Sequence, residues 1–340
     1  MAQAHVFHLS STPPQQVTLG GARINVNGSN FSALQRMALS KLTLLKGGVR
    51  EPHWHPNAHE LGYCIGGQGR VTVVGLKGER NTFSIEKGTT FFIPQSYLHG
   101  IENTGDEPLE ILLCFNHPNV DEINLSSACG FMSKSVMGAL FDRGPAFFSD
   151  LHISKTSAFI VKTEKKYADQ EVISTESPYR LDLDSTQPQI QEPGGWAKKA
   201  EKATMPILED LALFSLHLDT DGIREPHWHP NAHELNYVIK GKVRITLVSP
   251  EERTETFELS PGDVSFLPKG YLHDIENIGQ EDVHMAVFFS HASPSDMGLS
   301  DSMGAYSPEI LGAIFNQEPA YFADFGSYTT GRHILRKYNG

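Results

Sequence analysis

Cysteine is scarce in this chain: Cys64, Cys114 and Cys129 are the only three among 340 residues, and all lie in the first half. An odd number confined to one half argues against a disulfide framework and fits a reducing cytoplasm. The three read as small buried apolar residues. Long apolar runs are also missing. No stretch approaches the roughly 18 residues that a membrane-crossing helix needs, and the N-terminal MAQAHVFHLSSTPPQQ has neither the basic nor the apolar region of a secretory signal. Positive charge is in deficit, with 28 Lys and Arg against 40 Asp and Glu, for a net charge of −12. That balance offers no basic surface to nucleic acid or anionic lipid. The expected partner is a small molecule, with no nucleic acid and no membrane. A homo-oligomer stays open.

The sequence is rich in self-similarity. REPHWHPNAHE occurs at residues 50–60 and again at 224–234, an offset of 174 residues. The same offset carries Gly67 to Gly241, Gly88 to Gly262, Pro94 to Pro268, His99 to His273, Asn103 to Asn277 and Phe141 to Phe315. A repeat of that length without gaps is a duplicated domain. The polar segment KTEKKYADQEVISTESP marks the junction, so the expected division is 1–165 for an N-terminal domain and 166–340 for a C-terminal one.

Within each copy the apolar runs are short, as in LGYCI, GRVTVV, TTFFIP and LEILLCF, and are bounded by Gly, Pro, Asn or Asp. Branched and aromatic residues in runs of four to eight, separated by turn formers, are strand vocabulary and predict an antiparallel sandwich or barrel. After the last strand, Val136, Leu140 and Phe141 recur at helical spacing, with Ser126, Ser127 and Ser133 nearby as candidate caps. The fold class is therefore all-β, duplicated in tandem, with a short helical segment after each barrel.

Alternate residues of a strand share a face, so His53 and His55 project together. Glu60 follows a Pro-Asn turn that can bring its carboxylate alongside, and His99 arrives on the segment FIPQSYLHGIEN. Three imidazoles and one carboxylate suit Mn, Fe, Co, Ni or Zn rather than Ca or Mg, and leave an octahedral ion two open positions. Copy two repeats the set as His227, His229, Glu234 and His273. His59 and His233, each beside a glutamate, are alternative ligands or outer neighbours. Trp54 and Trp228 should point to the opposite face and pack there.

The pattern HxHxxxxE with Gly67, and then Gly88, Pro94, His99 and Asn103, resembles the two motifs of the cupins, with Ser96 where glycine is usual; copy two keeps Gly270. The chain is thus similar to a bicupin, and among bicupins to the oxalate decarboxylase-like group. The resemblance implies two double-stranded β-helix (jelly-roll) barrels, one divalent metal in each with manganese foremost, and a small carboxylate as substrate. It nominates Arg70, and by repeat Arg244, as forks for a substrate carboxylate; the alternative is an outward-facing salt-bridging arginine. It also implies a glutamate proton donor on a lid after the last strand. That segment here, FNHPNVDEINLSSACGFMS, is shorter than the resemblance leads one to expect. Aligned from the helix it puts Asn119 at the donor position; aligned on the acidic pair it nominates Glu122 or Asp121, with Asp296 opposite in copy two. The functions in play are an oxalate decarboxylase-like carboxy-lyase, another metal-dependent cupin enzyme such as an O₂-dependent oxidase, dioxygenase or isomerase, and a non-catalytic binding bicupin.

Overall fold

The computed structural model describes residues 4–148, 154–164, 174, 176–251, 253–328 and 331–338. The short branched and aromatic runs form strands, and every pairing between named strands is antiparallel. The chain makes two compact units, one of residues 13–27 and 38–182, the other of residues 1–12, 28–37 and 183–340. The expectation of tandem all-β barrels is met.

In the first unit a seven-stranded sheet runs Arg180–Asp182, Thr89–Ile93, Glu60–Gly66, Leu109–Phe115, Ala38–Leu44, Gly21–Val26 and Gln16–Thr18. A second sheet runs Ile123–Asn124, Gly48–Trp54, Leu98–Asn103, Gln68–Val74 and Arg80–Glu86, with Ile160–Lys162 also pairing to Gly48–Trp54. The second unit repeats both sheets, and its seven-stranded sheet begins with Val6–His8 against Asp263–Leu267. Val6–His8 and Arg180–Asp182 occupy the same position of the repeat. Each therefore precedes one copy in sequence yet belongs to the unit built on the other copy, where it covers a sheet edge that would otherwise expose unpaired backbone groups.

Sequence pattern explains which faces are buried. Gln68–Val74 alternates, with Gly69, Val71 and Val73 buried and Arg70, Thr72 and Val74 half-buried on the other side. Leu109–Phe115 is an almost continuous apolar run and is buried on both faces. In the second unit Val243, Ile245, Leu247, Phe257, Ile275 and Met285 belong to one core cluster. Fully burying each such side chain contributes about 1.5–3 kcal/mol, which is what holds the two sheets together.

Short helices follow each barrel: Leu125–Phe131 and Lys134–Leu140 in the first copy, Leu299–Gly304 and Pro308–Phe315 in the second. Of the three candidate caps only Ser133 caps a helix, its Oγ accepting from the Val136 amide at 3.2 Å. Ser126 instead accepts from the Ala158 amide, and Ser127 donates to the Asn124 carbonyl. Cys64 and Cys114 are free and buried, and Cys129 is free and half-buried. Among the described residues no helix is long and apolar enough to cross a membrane.

Candidate metal centres and the pockets beside them

His53 is the penultimate residue of a strand whose neighbour brings in His99 directly opposite, while His55 lies just beyond the strand and Glu60 opens the next one. The ligand atoms of His53, His55, Glu60 and His99 all fall within 4.8 Å of one another, and those of His227, His229, Glu234 and His273 do the same; all eight residues are buried. Each ring is oriented by a backbone carbonyl. Nδ1 of His53, His55 and His99 donates to the carbonyls of Glu51, Asp121 and Tyr97, each at 2.9 Å. In the second copy His227, His229 and His273 donate to the carbonyls of Glu225, Ser295 and Tyr271 at 2.7, 2.7 and 2.9 Å. A carbonyl only accepts, so the proton sits on Nδ1 and Nε2 is left to bind a metal.

The electrostatics prepare the same donor set. Burial, followed by the neighbouring His99, Arg50 and His55, holds His53 well below the usual histidine range and therefore neutral. His227 is lowered likewise, by burial and then by Arg224, His273 and His229. Burial pushes the Glu60 carboxyl up, but His99 and His55 outweigh it and hold the group well below the usual carboxylate range. Glu234 is held down by His273 and His229 in the same way. The Glu60 Oε2 lies 3.1 Å from His55 Nε2 and 3.3 Å from His99 Nε2, close enough for the carboxylate and both rings to share one cation. Glu60 Oε1 is buried with no hydrogen-bond partner among the described residues. A buried carboxylate among imidazole lone pairs is costly unless a cation lies between them. The residues fit a divalent transition metal, one in each copy.

A bulge decides what stands next to the ligands. His53 pairs with His99 and Arg50 with Ile101, so three steps on one strand match two on the other. The extra residue turns Arg50 to the face that carries His53. The second copy has the same irregularity between Arg224 and His227. Arg50 is fully buried: Nη1 donates to Asn124 Oδ1 at 2.7 Å and to the Phe159 carbonyl at 3.1 Å, and the guanidinium lies 4.0 Å over the Phe159 ring. Its Nη2 is 2.9 Å from Glu122 Oε2, which also accepts from Arg23 Nη1 at 2.7 Å. Burial draws Arg50 down to about 10, which still leaves it charged at neutral pH. Burial raises Glu122, but Arg23 and Arg50 prevail and hold it at about 2. In copy two Arg224 pairs with Asp296, and the His333 ring lies 3.6 Å from the same carboxylate.

A cupin family model matches residues 7–141 and 181–320. The chain belongs to the cupin family. It is 28% identical to oxalate decarboxylase OxdC of Bacillus subtilis, over 86% of this chain and 77% of that protein. It is 26% identical to a probable oxalate decarboxylase of Arthroderma benhamiae, over 82% of this chain and 71% of the other. A solved structure of the Bacillus subtilis oxalate decarboxylase at pH 4.6 superposes with a TM-score of 0.89 at 24% identity, covering 98% of this cupin and 88% of that chain.

The structure does not bring Arg70 or Arg244 to the ligands of this cupin. Arg70 makes a two-pronged pair with Glu102 on the adjacent strand, at 2.9 and 2.8 Å, on the face away from buried Val71 and Val73. Arg244 pairs with Glu258 at 3.2 Å near the surface. Strict alternation along GRVTVV already places Arg70 opposite the core. Arg50 and Arg224 stand beside the candidate ligands instead, and Pro52 and Pro226 are the sequence signal for it, because proline inside a strand marks an edge or a bulge.

Of the lid candidates, Glu122 reaches the pocket that His55 lines. Asp121 turns its carbonyl to His55 Nδ1 and its carboxylate to Asn57, while the Asn119 carbonyl accepts from Asn57 and faces His117 Nδ1. His59 and His233 stand outside the ligand sets. Their Nδ1 atoms accept from the backbone amides of Gln95 and Lys269, at 2.9 and 3.0 Å. Burial, then Lys269 and Arg36, lowers His233 to about 4. Trp54 is half-buried on the other face of its strand and pairs beside Ile123; Trp228 is likewise half-buried and pairs beside Met297. Ser96 takes a left-handed φ of 66° where Gly270 has 81°, so serine serves this turn at some conformational cost.

Each copy has a pocket beside its candidate ligands. The first, with about 350 Å³ of space, is lined by Arg23, Asn25, Ser40, His55 and Glu122 among others. The second, with about 420 Å³, is lined by Arg224, His227, His229, Glu234 and Asp296 together with apolar side chains.

Proposed function

We propose that this cupin is a metal-dependent carboxy-lyase of the oxalate decarboxylase type, acting on oxalate or a similarly small carboxylate at its first constellation, with manganese as the metal. The observation that carries this reading is the Arg23–Glu122–Arg50 cluster beside His53, His55, Glu60 and His99. Support also comes from the relatives, which are oxalate decarboxylases, and from the Bacillus subtilis enzyme, one of whose solved structures concerns its Mn(II) centres.

When bound, the metal supplies a Lewis-acidic centre with open positions for one substrate carboxylate. The chain does the rest. Arg50 and Arg23 offer planar forks to the remote carboxylate, and an incoming anion competes with Glu122 for them. Once displaced, Glu122 is a half-buried carboxylate facing another anion, and its affinity for a proton rises. The proton of hydrogen oxalate passes to Glu122. When the C–C bond breaks and CO₂ leaves, the electron pair stays on the other carbon, and Glu122 returns the proton to it. Hydrogen oxalate thus gives CO₂ and formate, with nothing left over. The buried setting keeps solvent protons from competing.

Manganese-loaded protein in air with oxalate should give formate and CO₂ in equal amounts, and Glu122→Gln should lose formate while keeping its metal. Absence of both products overturns the reading, and O₂ consumption with peroxide in place of formate would favour an oxidase. The exposed Leu140, Phe141, Ile314 and Phe315 on the helices after each barrel favour self-association, to be read as a mass above 37.6 kDa in light scattering. The free, buried Cys64 and Cys114 suit a reducing cytoplasm.

A further inference from the structure

The two copies share their set of candidate metal ligands, and the pockets beside those sets differ in their walls. At the positions where the first copy has Gln16, Arg23 and Ser40, the repeat places Ile190, Ala197 and Phe214, and all three line the second pocket. Val287, Phe289 and Ile334 complete an apolar wall. Three polar positions have become apolar on neighbouring strands, Ile190–Glu192, Gly195–Ala200 and Ala212–Leu218. The ligands they face have not changed at all.

The charge count around this pocket has changed with the walls. In the first copy two guanidiniums, Arg23 and Arg50, converge on Glu122. In the second, Ala197 replaces the outer one, and among the described residues Arg224 is the only arginine or lysine lining the pocket. Arg224 already faces Asp296, with His333 beside it. The Lys199 ammonium is not part of the lining; it lies 4.8 Å over the Phe214 ring. A dianion entering here would press its second carboxylate against Phe214, Ala197 and Ile190, where nothing hydrogen-bonds it. Burying a charge that way costs several kcal/mol. An alkyl chain in the same place gains by leaving water.

We propose that the second pocket is a binding site for an aliphatic monocarboxylate, its carboxylate directed to the metal ligands and Arg224 and its chain lying along Ile190, Ala197, Phe214 and Ile334. The two copies then bind different acids: a small dianion in the first, a monoanion with an apolar tail in the second. The inference rests on the reading of His227, His229, Glu234 and His273 as a metal site, and it does not depend on the oxalate chemistry of the first copy.

The test is calorimetric titration of the full-length, manganese-loaded protein with acetate, butyrate and hexanoate, with metal content measured on the same samples. One site per chain should tighten by about fourfold for each added methylene until the wall is covered. In the Phe214→Ser, Ala197→Arg double variant the dependence on chain length should disappear, with two metal ions per chain retained. Phe214→Ser alone, a smaller change, should reduce the dependence and serves if the double variant does not fold. Equal affinity for all three acids overturns the proposal, and so does a chain-length dependence that survives in a metal-replete double variant. A protein that holds no metal at His227 and His229 overturns its basis. Formate release from oxalate, assayed separately, reports only on the first copy.

Discussion

The two copies of this cupin keep identical ligand sets at identical spacing and surround them differently. In the first, Glu51 is fully engaged: it accepts from the Phe159 amide at 2.5 Å, the Ser157 hydroxyl at 2.6 Å and the Ser126 amide at 3.0 Å. These bonds, against the opposing push of burial, hold its carboxyl below the usual range. Its counterpart Glu225 accepts from Ser300 at 2.8 Å, but its Oε1 has no hydrogen-bond partner among the described residues. Burial prevails there and the carboxyl is raised. Gly331 stands where Ser157 is, and Gly298 where Asn124 is. A Cβ on Gly298 would lie 2.3 Å from the Glu225 oxygen, so the second copy could not carry the first copy's Asn124 without rearranging. Metal ligation tolerates little change, because one lost ligand dissolves the geometry; the wall and the outer hydrogen bonds can diverge one residue at a time.

The largest effect expected is on metal content. His53→Ala and His227→Ala should each release one of two equivalents of manganese, measured by elemental analysis. Loss of both from a single substitution would show that the copies are not independent.

Next comes acid stability. Glu122, held at about 2 against an ordinary value of 4.5, contributes stability above the ordinary carboxylate range and loses it as pH falls from about 4.5 towards 2. The linked contribution at neutral pH is about 3 kcal/mol. In Glu122→Gln that pH-dependent part should vanish from urea-unfolding curves. Asp296, lowered by Arg224 against the opposing push of burial, should likewise lose stability as pH falls below the ordinary carboxylate range, and Asp296→Asn should remove that part of the profile.

A smaller effect follows from Arg23→Ala, which makes the first pocket resemble the second in charge. Loss of a hydrogen bond between charged groups costs about 1.5–3 kcal/mol, so the KM for oxalate should rise at least tenfold. An unchanged KM would mean that Arg23 serves only Glu122. The smallest effects belong to Arg70→Ala and Arg244→Ala. Arg70 holds a partly exposed pair, worth at most about 1 kcal/mol, and neither change should alter oxalate turnover; a large loss of activity in either would restore the anion-clamp role.

Much of the site was legible because strand geometry is local. A period of two brings His53 and His55 together, and an offset of 174 carries the assignment to His227 and His229. Arg50 escaped the same rule because the bulge beside Pro52 shifts the period by one, so a residue three places before His53 comes to share its face. Glu122 was one of several acidic residues in a loop, and only the convergence of Arg23 from a strand about a hundred residues earlier in the chain singles it out.

By itself the sequence determined the duplication, the all-β class and the eight candidate ligands, since each depends on spacing along one chain or on exact repetition. Only the tertiary structure decided which arginine meets the site, which acid answers it, and that Ile190, Ala197 and Phe214 form one wall. Those relations join strands that are distant in sequence, and a single bulge changes which side chains face inward.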